Sequence, residues 1–194
     1  IKTFATNSKE NKIEINKGMN QFTWDMNYMP ADRVEGLILW NGFVRGPKAA
    51  PGEYFAKFKS GSDSVEVGFA ILGDPNYKTT NADYEEQVNF LLTVRDKFSE
   101  VMKALKNIKE VRQQLTDFNA RIGKDIPSEI KQKIDTINKQ MTAVEEALHQ
   151  TKAKSGQDVL NYPIRLDDKL ASVYNAASAG NTAPSRQAKE AYAE

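Results

Sequence analysis

Few residues in this sequence have types and spacing that could do chemistry. His149 is the single histidine, and Glu146-Ala-Leu-His149 carries the Glu-x-x-His spacing. In a di-iron helical bundle that spacing aims both side chains from one helical face at the metals. Such a site needs the motif twice, and a second histidine is absent. His149 also stands beside the apolar position Leu148 rather than on it, so it reads as a surface histidine. Carboxylates occur as adjacent pairs at Glu85-Glu86, Glu145-Glu146 and Asp167-Asp168. Helical neighbours diverge by about 100°. These pairs therefore read as solvated faces and first-turn charges that complement helix dipoles. A general acid and base must instead face each other across a cleft. Asp25 and Asp32 lie nearer to loops and are the remaining candidates for such work. No Gly-x-Ser-x-Gly elbow, phosphate loop or dinucleotide fingerprint is present. The glycine- and proline-rich stretch 42–52 does not lead into a helix, as a phosphate cradle would. The residues thus assign no catalytic group, no metal ligand and no cofactor.

The aromatics offer binding chemistry instead. Trp24, Tyr28, Trp40, Phe43 and Tyr54 fall in the first third of the chain. Exposed rings of this kind stack on sugars, whereas most large aromatics serve burial. Trp24 alternates with Phe22 and Met26, which places it in a core. Tyr54 follows Pro51-Gly52 and reads as a strand-edge tyrosine whose hydroxyl ties back to the main chain. Tyr28 and Trp40 flank a long loop and are the candidate ligand-binding residues, with a glycan as the ligand.

These residues sit in a chain of 194 residues, 40% hydrophobic and 27% charged, with a formal net charge of +1. That is an ordinary folded composition. The charge balance argues against a nucleic-acid binder, which needs a basic stripe to displace counterions, and it gives no polybasic membrane patch. There are no cysteines, so disulfides, thiolate metal sites and cysteine nucleophiles are excluded; this suits a bacterial periplasm or cell surface. No apolar run approaches the roughly 20 residues of a membrane span, and no signal peptide is evident. The chain opens on Ile1-Lys2-Thr3-Phe4 without an initiator Met and ends in what reads as mid-helix. Both ends are expected to be cuts inside a longer, secreted protein.

Two periodicities divide the sequence. Residues 1–76 read as strands with period two: Lys12 to Ile15, Gln21 to Met26, a short apolar run at Gly36–Trp40, and a hairpin of Glu53–Phe58 and Ser64–Phe69 about Gly61-Ser62-Asp63. The segment 27–52, rich in proline and glycine, includes one strand and much long loop. After Gly73-Asp74-Pro75-Asn76 the period becomes helical. Thr80-Asn81-Ala82-Asp83 has the form of a capping box, with Asp83 where Glu is usual. From there to Ile122 no proline or glycine interrupts one helix of about 40 residues, and Gly123 supplies its C-cap. Pro127-Ser128 opens a second helix. Its apolar positions Ile130, Ile134, Ile137, Met141, Val144 and Leu148 form the a/d seam of a coiled coil. The short link makes the two helices antiparallel. A third helix is expected over Leu166–Ser178, and a fourth capped by Thr182 with Pro184 in its first turn.

Several motifs in order carry a resemblance. Gly18-Met19-Asn20-Gln21-Phe22-Thr23-Trp24-Asp25-Met26-Asn27-Tyr28 resembles a G-x-N-x-F-x-W-D-x-R-Y strand of an Ig-like module related to a domain of the flagellar hook-capping protein. Gly36–Trp40, Arg45-Gly46-Pro47 and Pro51-Gly52-Glu53-Tyr54 continue the match, as do Asp74-Pro75, the helix from Thr80 to Lys97, Gln150-Thr151-Lys152 and Asn161–Leu170. Together they resemble the C-terminal region of large secreted bacterial proteins with sortilin-like, BNR-repeat β-propellers, many labelled glycosyl hydrolases. Asn27 departs from the pattern, which has Arg there. The resemblance implies an upstream β-propeller that would carry any glycosidase activity, and no catalytic residue in this region. It also implies a further strand before Ile1, so that the sandwich here would expose a sheet edge open to strand addition.

The expected fold is therefore α+β: an Ig-like β-sandwich over residues 1–76, lacking its first strand, followed by an antiparallel α-helical hairpin or bundle over 77–194. The expected function is that of a non-catalytic accessory or interaction module. Its partners would be the upstream propeller and a protein or glycan at the cell surface. The alternatives are a carbohydrate-binding module using Tyr28 and Trp40, and a part of a glycosidase whose active site lies in the propeller.

Overall fold

The structure is a computed structural model and describes residues 1–8, 11–123 and 126–194. Among them a single two-stranded antiparallel sheet forms, from β1 (Gly52–Ser60) and β2 (Asp63–Ile71). Four α-helices follow: α1 (Asn81–Ile122), α2 (Ser128–Leu148), α3 (Leu166–Ser178) and α4 (Arg186–Ala193), with a 3-10 turn at Gly156–Leu160 before α3. The Ig-like β-sandwich expected over residues 1–76 is not formed, since one hairpin makes no second sheet to pack against.

The expected strands fail for separable reasons. Lys12–Ile15 and Gln21–Met26 alternate correctly, but among the described residues they find no partner strand. Lys12 makes an isolated bridge to Ala5, and Asn27, just past the second segment, makes one to Lys48. Phe22 and Met26 accordingly stay exposed. Gly36–Trp40 is apolar for another reason: Leu37 and Leu39 lie against the helical core. A short apolar run has the same sequence signature in both settings.

The hairpin does form where its turn chemistry places it. Gly61 has φ 59°, and glycine first in a two-residue turn supplies the positive φ that matches the strands' twist. Its base is anchored by a small aromatic cluster. Trp24 packs on Tyr54 and Phe69 at 6.2 Å each, and Tyr54 stacks on Phe69 at 5.9 Å. The Tyr54 hydroxyl donates to the Ala50 carbonyl at 2.7 Å, as its place after Pro51-Gly52 suggests.

The helices follow the sequence closely. Thr80 and Asp83 close the capping box of α1 in both directions: the Asp83 amide donates to Thr80 Oγ1 at 3.2 Å and the Thr80 amide to Asp83 Oδ2 at 3.0 Å. Gly123 ends α1. Helix α2 lies back along it, with Arg112 donating to Glu145 at 2.8 Å and to Thr142 at 3.2 Å. Of the α2 seam only Ile134 is buried; Ile137 and Val144 face solvent. Helix α4 starts later than expected, capped by Ser185, which accepts from the Ala188 amide at 3.1 Å.

The core is helical and is shared with the N-terminal loop. Leu91, Val94, Phe98, Val101, Met102 and Leu105 of α1 meet Leu170, Ala171, Tyr174 and Ala177 of α3 and Ala188 of α4. Ala31, Val34 and Val44 complete the same cluster from the loop that precedes the hairpin. That loop is tied to α1 by Arg95 Nη1 on the Met29 carbonyl at 3.1 Å and by the Asp32 amide on Ser99 Oγ at 3.1 Å. Its two arms run close together. The Cβ of any residue replacing Gly46 would collide with the Tyr28 carbonyl oxygen.

Candidate functional site

Two places in the molecule depart from ordinary packing. The first is a buried polar junction where α2, α3 and the loop at Trp40 meet. His149 caps the C-terminus of α2, and Asp167 and Asp168 form the first turn of α3. His149 Nδ1 lies 2.6 Å from Asp167 Oδ2, and Asp167 is fully buried. The other Asp167 oxygen accepts from the Asp168 amide at 2.8 Å. Asp168, also buried, accepts from the Trp40 amide at 3.2 Å and the Asn41 amide at 2.9 Å. Asn41 Nδ2 then donates to Ser172 Oγ at 2.7 Å.

This corrects two sequence expectations. His149 is not a surface histidine, and Asp167-Asp168 is not a solvated face. Spacing along α2 gives the distance of His149 from its own helical seam. It does not give the approach of α3, which seals the histidine. Buried carboxylates survive only when paired and hydrogen-bonded. Here the histidine ring, backbone amides and the free N–H groups of a helix start supply that compensation.

A shallow cleft opens beside the junction, lined by Ile38, Trp40, Gln150, Ser155, Tyr162 and Asp168 among others, and its free volume is about 10 Å³. That is room for about one water molecule. His149 is not in its lining, so the histidine–aspartate pair does not face a substrate-sized space. Its geometry is that of a latch joining three segments. Among the described residues, no group of three or more His, Asp or Glu is placed to hold a metal ion.

The remaining candidates are dispersed. Asp25 and Asp32 do not share a cleft: Asp25 pairs with Lys2 at 3.1 Å and Asp32 with Lys103 at 3.4 Å, both at the surface. Slight desolvation acts upward on the Asp25 carboxyl, but hydrogen bonds from Lys2 and Asn27 and the Lys2 charge together hold it below the usual aspartate value. Tyr28 is half-buried, its amide donating to the Pro47 carbonyl at 2.9 Å. Trp40 is 48% exposed on the rim of the cleft, with Tyr162 also in the lining. Tyr28 is absent from that lining, so the two candidate ligand-binding rings are not brought to one site.

The second unusual place is the hairpin. Its strands pair Tyr54 with Phe69, Ala56 with Val67 and Phe58 with Val65. Side chains alternate along a strand, so Tyr54, Ala56, Phe58, Val65, Val67, Phe69 and Ile71 share one face, which ends at the turn in Ser60 and Asp63. The opposite face carries Glu53, Phe55, Lys57, Lys59, Ser64 and Glu66, with Lys57 and Glu66 at 3.5 Å. Beyond the Trp24 cluster the apolar face is open to solvent: Phe58 is 53% exposed, Val65 63% and Val67 60%. The sequence reads these segments as a hairpin of a sandwich, and nothing in the described chain covers the face beyond the Trp24 cluster.

No family model, no curated protein and no solved structure matches this chain. The functional reading therefore rests on the residues themselves. Among the described residues no helix is long and apolar enough to cross a membrane.

Proposed function

We propose that this chain is a non-catalytic accessory module that presents an amphipathic β-hairpin to a protein partner, as the C-terminal piece of a larger secreted bacterial protein with an upstream β-propeller. One observation carries the reading: Ala56, Phe58, Val65 and Val67 stand exposed side by side on one face of the hairpin. Contiguous apolar surface of this kind marks interaction sites, and a two-stranded hairpin with open edges suits strand addition. The ordered series of motifs from Gly18 to Leu170 supports the propeller-bearing parent, and any glycosidase activity belongs to that propeller. The side chains support the absence of catalysis here, because the one histidine is spent on Asp167 and the loop aspartates on lysines.

The test uses 8-anilinonaphthalene sulfonate, a dye that brightens on apolar surface. The chain is expected to bind the dye, and Val65→Lys with Val67→Lys to abolish that binding while helical circular dichroism is kept. Unfolding of the double variant would mean that the face is core, and would overturn the reading.

A glycan-binding module is the second reading, favoured by the half-exposed Trp40 ring beside Tyr162. It requires the tryptophan fluorescence to change on titration with soluble oligosaccharides and to be unresponsive in Trp40→Ala.

A further inference from the structure

The free edge of β1 has a sequence that complements itself. Resting on the reading of the hairpin as the contact surface, we propose that the edge is occupied by β1 of a second copy of this chain, paired antiparallel about Ala56.

The backbone sets which groups are free. Ser60 and Asp63 pair directly across the two-residue turn, so they exchange both hydrogen bonds and the ladder alternates from there. Counting back along β1, Phe58, Ala56 and Tyr54 bond to β2. Lys59, Lys57, Phe55 and Glu53 turn their N–H and C=O groups outward. No backbone bond outside the hairpin uses those groups among the described residues.

Antiparallel pairing about Ala56, the middle residue of β1, sets Glu53 opposite Lys59 of the second copy, Phe55 opposite Lys57 and Tyr54 opposite Phe58. Every outward-facing residue then meets an outward-facing residue, so the backbone bonds can form. Within the described chain Lys57 has Glu66 for a partner, while Glu53 and Lys59 form no ion pair. The two-fold arrangement gives each of them one, twice over. Ala56 falls on the axis at a non-hydrogen-bonded position, where the chains approach to about 4.5 Å and a small side chain fits. Lysines on a sheet edge ordinarily deter pairing. Here each meets a carboxylate or an aromatic ring, and no like charges stand opposite one another. The β2 edge lacks this match: pairing about Val67 sets Glu66 against Gly68, with no opposite charge.

The result is a four-stranded sheet in the order β2, β1, β1, β2. A lone two-stranded hairpin is marginal in water, and three or more strands are the usual requirement for stability. The pairing leaves the apolar face open on both copies, now side by side as one broader surface.

Light scattering in line with size-exclusion chromatography, on the full chain across a micromolar dilution series, tests this. A dimer that dissociates on dilution is expected. Glu53→Lys and Lys59→Glu each set like charges opposite twice and weaken the dimer by roughly tenfold or more. The double reversal Glu53→Lys with Lys59→Glu restores it. Phe55→Pro removes an outward N–H that β2 does not use, and abolishes the dimer while keeping the hairpin. A strict monomer throughout, or a dimer indifferent to the single reversals, overturns the proposal. A monomer that still binds the dye rejects the second copy alone and leaves the exposed-face reading standing.

Discussion

Nδ1 of His149 and Oδ2 of Asp167 approach to 2.6 Å with both side chains sealed from solvent, joining the end of α2 to the start of α3. Asp168 extends the same junction to the backbone of Trp40 and Asn41. A charge or polar group moved out of water is worth keeping only if its partner stays in place. The consequence is a strong asymmetry between breaking the pair and replacing it.

Asp167→Ala leaves the histidine and the Asp168 amide without their partner. The expected cost is about 3–5 kcal/mol, the range for breaking a buried pair. It will show as a lower urea midpoint at unchanged slope. Replacing both members by apolar residues, His149→Phe with Asp167→Leu, is expected to cost less than either single loss, because no buried polar group is then orphaned.

Phe98 lies at the centre of the shared core, fully buried, with Phe43 edge-on at 6.2 Å. Phe98→Ala opens a cavity between α1 and the N-terminal loop. A loss of about 3–5 kcal/mol is expected. Because Phe43 comes from that loop, proteolysis of residues 29–50 should accelerate in the variant. A loop that stays protected would show that it is not held by this core.

Burial pushes the Tyr174 phenol up to about 12, against a smaller opposing pull from Arg95 and Arg45. Its folded value is above the unfolded one, so the native state holds the proton longer. Stability is therefore whole below the ordinary tyrosine value of 10.0 and is lost as the pH rises toward about 12. Equilibrium unfolding measured at several alkaline pH values should show this decline, and Tyr174→Phe should flatten it.

Gly46→Ala tests the fold of the loop. A Cβ there strikes the Tyr28 carbonyl oxygen, which is backbone and cannot rotate away. The arms must part, which breaks the Tyr28 amide's bond to Pro47 at 2.9 Å. The expected loss is about 1–3 kcal/mol, typical of overpacking. Circular dichroism melts of this variant beside Gly61→Ala would separate a steric clash from a φ effect, since Gly61 has open space around it and φ 59°.

The helices and the hairpin were legible because their signals are local. A capping box needs Thr80 and Asp83 three residues apart, and a glycine at the first position of a tight turn is a property of Gly61 and its neighbours. Tyr54 found its own backbone four residues away at Ala50. Each of these interactions is closed within a few residues, so chain order is enough to predict it.

The absence of the expected sandwich was not legible for the opposite reason. Alternation at Lys12–Ile15 and Gln21–Met26 states that a strand is possible, but a strand exists only with a partner, and partner choice is long-range. The apolar run at Gly36–Trp40 carried the same composition whether it paired in a sheet or lay on helices. The core decided, drawing Leu37 and Leu39 against its buried cluster.

By itself, the sequence determined that a hairpin is followed by four helices, the caps of α1 and the absence of cysteine chemistry, while α4 begins at Arg186 rather than in the turn after Thr182. The tertiary structure alone decided that His149 and Asp167, 18 positions apart, are buried partners. It likewise decided that the apolar hairpin face is left uncovered. Burial depends on which surfaces meet, and a residue's own spacing along the chain records only which way it faces.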